Sequence, residues 1–358
     1  MGDFFEVDFL QVNSARSGDA VAIRYQIGQH WTVHVIDGGY MSTAPLLASH
    51  IRNRFGTNRI NHMVVTHPDQ DHAEGLAALA EEFEIDQLWM LRPWIYSSFL
   101  LPYFARYSSA ESLSQRLRSD FPYIDALEKV AIRRKIDIQE PFQGAAIGAF
   151  KVLAPSQARW FQLVIDSEKT PQPTPNMGIL SSFFEEIARP VIKFIRAGWG
   201  SEKFSTEDTS TQNEMSVVQY GTFDDRTVVL TGDAGRNALA EAANYAPYAG
   251  LFLPGVSDFQ APHHGGRRNV NSQILDKWLG PVLPQLMPAG HERFRAIISA
   301  SKEDLDHPRK AVLRGLLHRG AKILTTEEHN IWIHGGDAPA RPDYVVLPNS
   351  PYPDEQED

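Results

Sequence analysis

His67, Asp69, Asp71 and His72 fall in one short segment, His67-Pro68-Asp69-Gln70-Asp71-His72, directly after the apolar run His62-Met63-Val64-Val65-Thr66. Side chains packed that closely along the chain can converge on a small volume. Three further polar groups follow apolar runs in the same way: Asp233 after Thr227 to Thr231, His263-His264 after Phe259 to Pro262, and His307-Pro308 downstream of Ala296 to Ser299. Gly232 before Asp233, and Gly265-Gly266 after the histidine pair, let the backbone come close to a ligand. A strand end needs turn residues, but it does not need several carboxylates and histidines. Neutral imidazoles and carboxylates are the ligands that suit Zn²⁺, Mn²⁺ or Fe²⁺. Two divalent ions need roughly six to eight such groups, and this set supplies about that many. Such ions polarise a phosphoryl or carbonyl oxygen and activate water, while a nearby Asp or His handles protons. Each residue alone has a plainer reading as turn former or helix cap, Asp71 as an N-cap among them. Their repetition in one order after apolar strands favours a metal site.

The elements that must position these residues alternate between strands and helices. Short apolar runs at Phe9 to Val12, Ala20 to Ile23 and Thr32 to Ile36 read as strands, the last ending at Asp37-Gly38-Gly39. Helices are expected over Ala44 to Phe55, Glu74 to Phe83, Asn237 to Asn244 and Lys310 to Arg319. Ser216 to Tyr220 and Thr227 to Leu230 read as a hairpin around Asp224-Asp225, and closing strands are expected at Lys322 to Leu324 and Ile331 to Ile333. Two runs of strands, each with helices, imply a layered α/β protein. Segments at about 92–140 and 156–212 interrupt the rhythm. They read as mainly helical insertions into one domain spanning residues 1–347, and the acidic, Pro-rich stretch 348–358 reads as a disordered tail.

Composition bounds the chemistry. The 358 residues are 42% hydrophobic and 22% charged, include no cysteine and carry a formal charge of −10. That is ample for a core and rules out general disorder. Without cysteine there is no disulfide framework, Fe–S cluster, thiol nucleophile or cysteine-bound zinc. The negative balance argues against charge-driven coating of nucleic acid, though not against a local basic groove. No run reaches the roughly 18–20 apolar residues of a membrane span. Met1-Gly2-Asp3-Phe4-Phe5-Glu6 shows neither a signal-peptide pattern nor a myristoylation pattern, so a cytoplasmic location is expected.

The segment 67–72 resembles the HxHxDH signature of the metallo-β-lactamase fold, in an HxDxDH form similar to that of the soluble domain of the ComEC competence protein and related phosphorylcholine esterases. Phe9 to Val12 with Ser17-Gly18-Asp19-Ala20, Val35 to Gly39, Asn213 to Val218, Leu230 to Asp233, Pro262 to Gly265, and Ile297 to Ser299 with His307-Pro308 resemble further family motifs in order. The resemblance implies an αββα sandwich with two divalent metal ions at one edge of its sheets. It implies His67 and Asp69 on one ion, Asp71 and His72 on the other, Asp233 bridging, and one of His263 or His264 completing the second site. The other histidine of that pair, or His307, would contact the substrate or protonate a leaving group. Asp71, His264 and His307 are therefore the expected catalytic residues. Three departures stand out. Asp69 replaces the usual histidine, which shifts preference towards Mn²⁺ relative to Zn²⁺. No histidine precedes the bridging aspartate, where Asn213 or Glu214 stands instead. No membrane channel accompanies the domain, so transport is not inherited with the fold.

The function expected is a metal-dependent phosphodiesterase acting on nucleic acid or a nucleotide, with Arg267, Arg268 and Asn213 as substrate contacts. Arg133-Arg134-Lys135 would line a path for a strand, and Phe183, Phe184, Ile187, Val191 and Phe194 would cap the site. Two rivals are a small-molecule ester, lactone or amide hydrolase and an effector activated by a partner from the same operon in a bacterial defence or stress system.

Overall fold

In β1 (Phe4–Phe9), Phe5, Val7 and Phe9 turn to one side while Glu6 and Asp8 turn to the other. That period of two recurs in β2 (Ala20–Ile27) and β3 (His30–Gly38), and it lets one sheet bury both faces. A computed structural model describes residues 3–169 and 193–358 of the chain. Strands β4 (Arg59–Val64), β5 (Glu84–Trp89) and β6 (Asp137–Gln139) extend the first sheet, and β15 (Ile331–Gly336) closes its other side. Its order is β15-β1-β2-β3-β4-β5-β6, antiparallel from β15 to β3 and parallel from β3 onward.

The second sheet is built alike from β7 (Ala146–Ile147), β8 (Phe150–Ala154), β10 (Val218–Phe223), β11 (Arg226–Leu230), β12 (Asp258–Gln260), β13 (Phe294–Ile298) and β14 (Ala321–Thr325). Its order is β14-β13-β12-β11-β10-β8-β7, with β11 to β14 parallel. Three cores separate four layers. Phe5, Val7, Ile36 and Val64 meet Val152, Val228, Leu230 and Ile297 between the sheets. Helices Ala44–His50, Gln70–Glu82 and Pro122–Arg134 bury Leu47, Leu76 and Leu127 on the outside of the first sheet. Helices Arg236–Ala249, Ser272–Leu279 and Lys310–His318 bury Leu239, Trp278 and Leu316 on the outside of the second. The αββα sandwich expected from the sequence is present. In open sheets with parallel strands, ligands collect at the strands' carboxyl ends. Here those ends deliver Asp37, Thr66-His67, Asp233, His263-His264 and Ser299 to one edge.

Two expectations need correction, and a third falls partly outside the described residues. The helix read from Glu74 begins at Gln70, so Asp69 takes the N-cap position and Asp71 and His72 lie in its first turn. The second insertion is only partly helical among the described residues. Helix Gln157–Lys169 is followed, after residue 192, by strand β9 (Phe194–Arg196), irregular chain and the short helix Thr211–Glu214. Finally, the stretch 348–358 is not a loose tail. Glu355–Glu357 forms β16, antiparallel to β9, with Gln356 and Glu357 buried. Glu357 accepts from the backbone N–H of Lys310 (2.9 Å) and Ala311 (3.0 Å), satisfying open donors at the start of helix Lys310–His318. An acidic stretch becomes ordered because its carboxylate meets that helix end. Among the described residues, no helix is long and apolar enough to cross a membrane.

Candidate metal centre

Asp233 stands at the middle of the cluster. It leaves β11 through Gly232, whose φ of +49° and tight packing on Thr66 (an added Cβ would lie 2.9 Å from it) exclude a side chain there. The carboxylate is buried, and its two oxygens face two different groups of side chains. Oδ1 lies 3.3 Å from His72 Nε2 and 3.9 Å from His264 Nε2, and both imidazoles also face Asp71 Oδ2, at 3.6 and 3.4 Å. Oδ2 lies 3.7 Å from His67 Nε2 and 3.6 Å from His263 Nε2, with Asp69 Oδ2 3.6 Å from His67. Ligand atoms of Asp71, His72, Asp233 and His264 all fall within 4.8 Å of one another. All seven residues expected as metal ligands are thus brought together.

The imidazoles are oriented from behind, each through Nδ1. His72 Nδ1 donates to Asp37 Oδ2 at 2.7 Å, since a carboxylate can only accept. Thr66 gives its hydroxyl proton to the same carboxylate (2.6 Å), so its oxygen accepts from His67 Nδ1 at 3.0 Å. His264 Nδ1 donates to the Ser299 carbonyl at 2.8 Å. The His263 Nδ1 partner is Asn269 Oδ1 at 3.1 Å, and the Asn269 amide nitrogen is spent on the Asp233 carbonyl at 2.8 Å. With every Nδ1 protonated, every Nε2 offers a lone pair to the centre. Nε2 of His67, His72 and His264 and Oδ1 of Asp233 are buried and make no hydrogen bond. Such groups are costly unless a ligand completes them. Two ligands of a tetrahedral ion, each about 2.1 Å from it, lie about 3.4 Å apart. The Nε2-to-oxygen separations run from 3.3 to 3.9 Å, so the mutually close donors of Asp71, His72, Asp233 and His264 fit a divalent cation.

Electrostatics favour a cation equally. Burial works against ionisation of Asp71 and Asp233, yet the facing imidazoles, His72 foremost, hold Asp71 down to about 2 and Asp233 well below the ordinary carboxylate range. Burial also works against charge on His72 and His264, but Asp233 and its neighbours raise His72 well above the usual value and His264 to about 9. His263 differs: burial and the nearby His264 and His307 pull it down to about 4 despite Asp233, leaving it neutral. A metal bound here displaces protons from His72 and His264, so its affinity weakens in acid.

His263 and His264 reach their places because both residues adopt left-handed backbone, φ +49° and +54°. That conformation costs a residue other than glycine about 1–3 kcal/mol and is found where surrounding structure enforces it. The pair divides between the two sides of Asp233. His264 joins Asp71 and His72, whereas His263 faces the Asp233 oxygen that His67 also faces, on the side expected to lack a second imidazole. His307 sits at the rim, its ring 5.2 Å from that of His263 and 6.0 Å from that of His264, with Nδ1 3.0 Å from Asp304 Oδ2.

The expected substrate contacts have partners of their own. Arg268 is exposed and pairs with Glu207, and Arg267 donates to the Asp358 carbonyl at 3.4 Å. Asn213 donates to Thr209 at 2.8 Å and touches the centre only through Ser216, whose hydroxyl accepts from the Asp233 N–H. Arg133 pairs with Glu81, and Arg134 donates to the carbonyls of Ala80 and Phe83, so these arginines clamp two helices together. Of the expected cap, Phe183, Phe184, Ile187 and Val191 lie outside the described residues, while Phe194 packs beneath Lys310 at 4.1 Å. Sequence reasoning missed Asp37, Asp19 and Asn269. Asp37 and Asp19 carried the same signal as Asp233, a carboxylate beside glycine at a strand end. Asn269 carried none.

No protein-family model and no curated protein matches the chain. Among solved structures, similar chains include the metallo-β-lactamase fold protein YhfI from Bacillus subtilis, 9% identical over 93% of this chain and 100% of its own, with a TM-score of 0.40. A diphosphatase from the PhnP family is 11% identical over 97% of this chain and 100% of its own, with a TM-score of 0.38. MEM-A1, a subclass B3 metallo-β-lactamase isolated from a soil metagenome library, is 14% identical over 76% and 85%, with a TM-score of 0.30. The αββα arrangement itself rests on the sheet order and the three cores described above.

Proposed function

We propose that this protein is a metal-dependent hydrolase with two divalent ions, Zn²⁺ or Mn²⁺, acting on a phosphodiester of nucleic acid or a nucleotide. The observation that carries the reading is the division of Asp233: each oxygen of one buried carboxylate faces its own set of imidazoles and an aspartate. His67, Asp69 and His263 would hold one ion, Asp71, His72 and His264 the other, with Asp233 shared. Bound there, two ions supply an activated water and charge stabilisation for both oxygens of an in-line displacement at phosphorus. The chain's own groups do the rest. Asp37, Thr66, Asn269 and the Ser299 carbonyl keep the four imidazoles aimed, which avoids reorganisation during reaction. Asp304 occupies Nδ1 of His307 and leaves Nε2 to hold a proton for the departing oxygen.

A small-molecule ester or lactone hydrolase is favoured by one specific feature. A small apolar cavity adjoins His67 and Thr66, lined by Leu91, Pro93, Phe121, Ile124, Trp160 and Met215, with room for about a methyl group of an uncharged substrate. Metal content by mass spectrometry, with cleavage of bis-p-nitrophenyl phosphate, nitrocefin and lactones, separates these readings. About two ions per chain and phosphodiester cleavage are expected, both lost in Asp233→Ala. Lactone or ester cleavage without phosphodiester cleavage would assign the second reading, and a wild-type chain that takes up no metal would remove both.

A further inference from the structure

We infer that Arg16 anchors the anionic phosphate oxygens of the substrate on the Asp71–His264 side of the centre, an assignment that rests on the phosphodiester reading above. The need for such a group follows from charge. Asp19, Asp37, Asp69, Asp71, Asp233 and Asp304 crowd this edge, so an anion approaching it must meet a cation held by the protein as well as the metals. The arginines that follow the histidine pair do not serve. Arg268 is committed to Glu207 and Arg267 to a backbone carbonyl, while Arg309 pairs with Asp306 at 3.2 Å and Arg236 with Asp208 at 3.0 Å.

Arg16 is placed differently. It rides on the loop between β1 and β2, and that loop is fastened on both sides of the centre. On one side the Asp19 N–H donates to the Asp71 carbonyl at 3.2 Å, and Gly18 packs so closely that a Cβ would lie 2.8 Å from the same oxygen. Asp19 Oδ2 accepts from Gln260 Nε2 at 3.0 Å and stands 3.8 Å from His72 Nδ1. On the other side the N–H and hydroxyl of Ser17 donate to Asp304 Oδ2, at 3.1 and 2.9 Å. That oxygen is the one facing His307 Nδ1. Ser14 is tied to Ser301 Oγ at 3.4 Å. The loop therefore spans from Asp71 to the His307–Asp304 pair, with the exposed Arg16 side chain between its anchors.

Among the described residues its guanidinium has no hydrogen-bond or ion-pair partner. Its charge is felt at the Tyr40 phenol, as is that of Asp71. A planar cation that is free and mounted on a pinned base suits two oxygens of a phosphate.

The test uses the metal-loaded full chain. Inorganic phosphate binding is measured by calorimetry, and kcat and KM are measured on bis-p-nitrophenyl phosphate, for wild type, Arg16→Ala, Arg16→Lys and Arg268→Ala. Arg16→Ala should raise the phosphate Kd and KM about tenfold or more with unchanged metal content, because a hydrogen bond to a charged group is lost. Arg16→Lys should recover part of the loss, since it keeps the charge but not the fork. Phosphate binding that is equal in wild type and Arg16→Ala, or weakened only in Arg268→Ala, overturns the assignment while phosphodiester cleavage by wild type keeps the reading beneath it. A metal-loaded wild type that neither binds phosphate nor cleaves the diester overturns both.

Discussion

Each imidazole at the centre is tethered at Nδ1 and open at Nε2, so the residues behind the ligands decide where those lone pairs point. Asp37 does most of this work on the first sheet. One carboxylate receives the Thr66 N–H at 2.8 Å, the Thr66 hydroxyl at 2.6 Å and His72 Nδ1 at 2.7 Å, and through Thr66 it also sets the tautomer of His67. Replacing it should therefore disturb ligands on both sides of Asp233. Asp37→Asn keeps the size but removes the charge and one acceptor, so His72 and Thr66 compete for a single oxygen. Loss of such an orienting carboxylate weakens metal binding about 10–100-fold. Competition with a chromogenic chelator should show that loss in Asp37→Asn, at both ions of the proposed pair. An affinity equal to wild type would mean that the helix alone positions His72. Asp69 is the contrasting case. Its side chain is 40% exposed, against 3% for Asp233, so whatever it holds is the more open of the ligand positions.

At the scale of elements, the centre depends on how tightly helix Gln70–Glu82 sits on the end of β3. Gly38 and Gly75 make that contact backbone to backbone. The Gly75 N–H donates to the Gly39 carbonyl at 2.9 Å, and a Cβ on Gly75 would lie 2.1 Å from the Gly38 oxygen. A carbonyl cannot rotate aside as a side chain can, so Gly75→Ala must push the helix outward and carry Asp71 and His72 with it. Overpacking of this kind costs about 1–3 kcal/mol. The variant should melt below wild type, and added Zn²⁺ or Mn²⁺ should raise its Tm by less than it raises that of wild type, although no ligand has changed. An undiminished metal increment would show that the first turn re-seats itself. The same contact explains what was legible beforehand. Val64-Val65-Thr66 and Val228-Val229-Leu230 advertise strands, and the polar residues after them advertise a site, because burial and ligation leave opposite compositions side by side. The helix start was not legible, since Gln70-Asp71-His72 is polar whether it is loop or first turn. Nor was the role of Asp19 or Asp37, because a carboxylate beside glycine has the same composition in a turn as behind a ligand. The order of Glu355–Glu357 depends on the distant N–H groups of Lys310 and Ala311, which no local pattern encodes. His263 and His264 were legible as a pair but not in their division, which is set by two successive left-handed residues.

The whole sandwich places polar groups in its interior as well as at its edge, and these should govern its response to pH. His34 on β3 points between the sheets, fully buried against Phe150 (5.1 Å between rings) and His62 (5.7 Å), and neither of its ring nitrogens has a hydrogen-bond partner. Burial first, and His62 second, hold its pKa well below the ordinary histidine value; burial lowers His62 too. Folding therefore keeps His34 neutral while the unfolded chain protonates it. Above the unfolded value of about 6.5 both states are neutral and the group has no pH effect. As pH falls below 6.5 the unfolded state takes up a proton that the folded state refuses, and stability drops by up to about 1.4 kcal/mol per pH unit until the folded pKa is reached. His72 and His264, with raised values, slope the other way: their contribution is full in acid and fades as pH rises. A comparison of His34→Leu with wild type cancels the terms shared by both. Urea midpoints at pH 8, 6.5 and 5.5 should then show the variant gaining on wild type with each step into acid. A difference that stays constant across the three would mean that His34 takes up its proton as readily in the folded sandwich as in the unfolded chain.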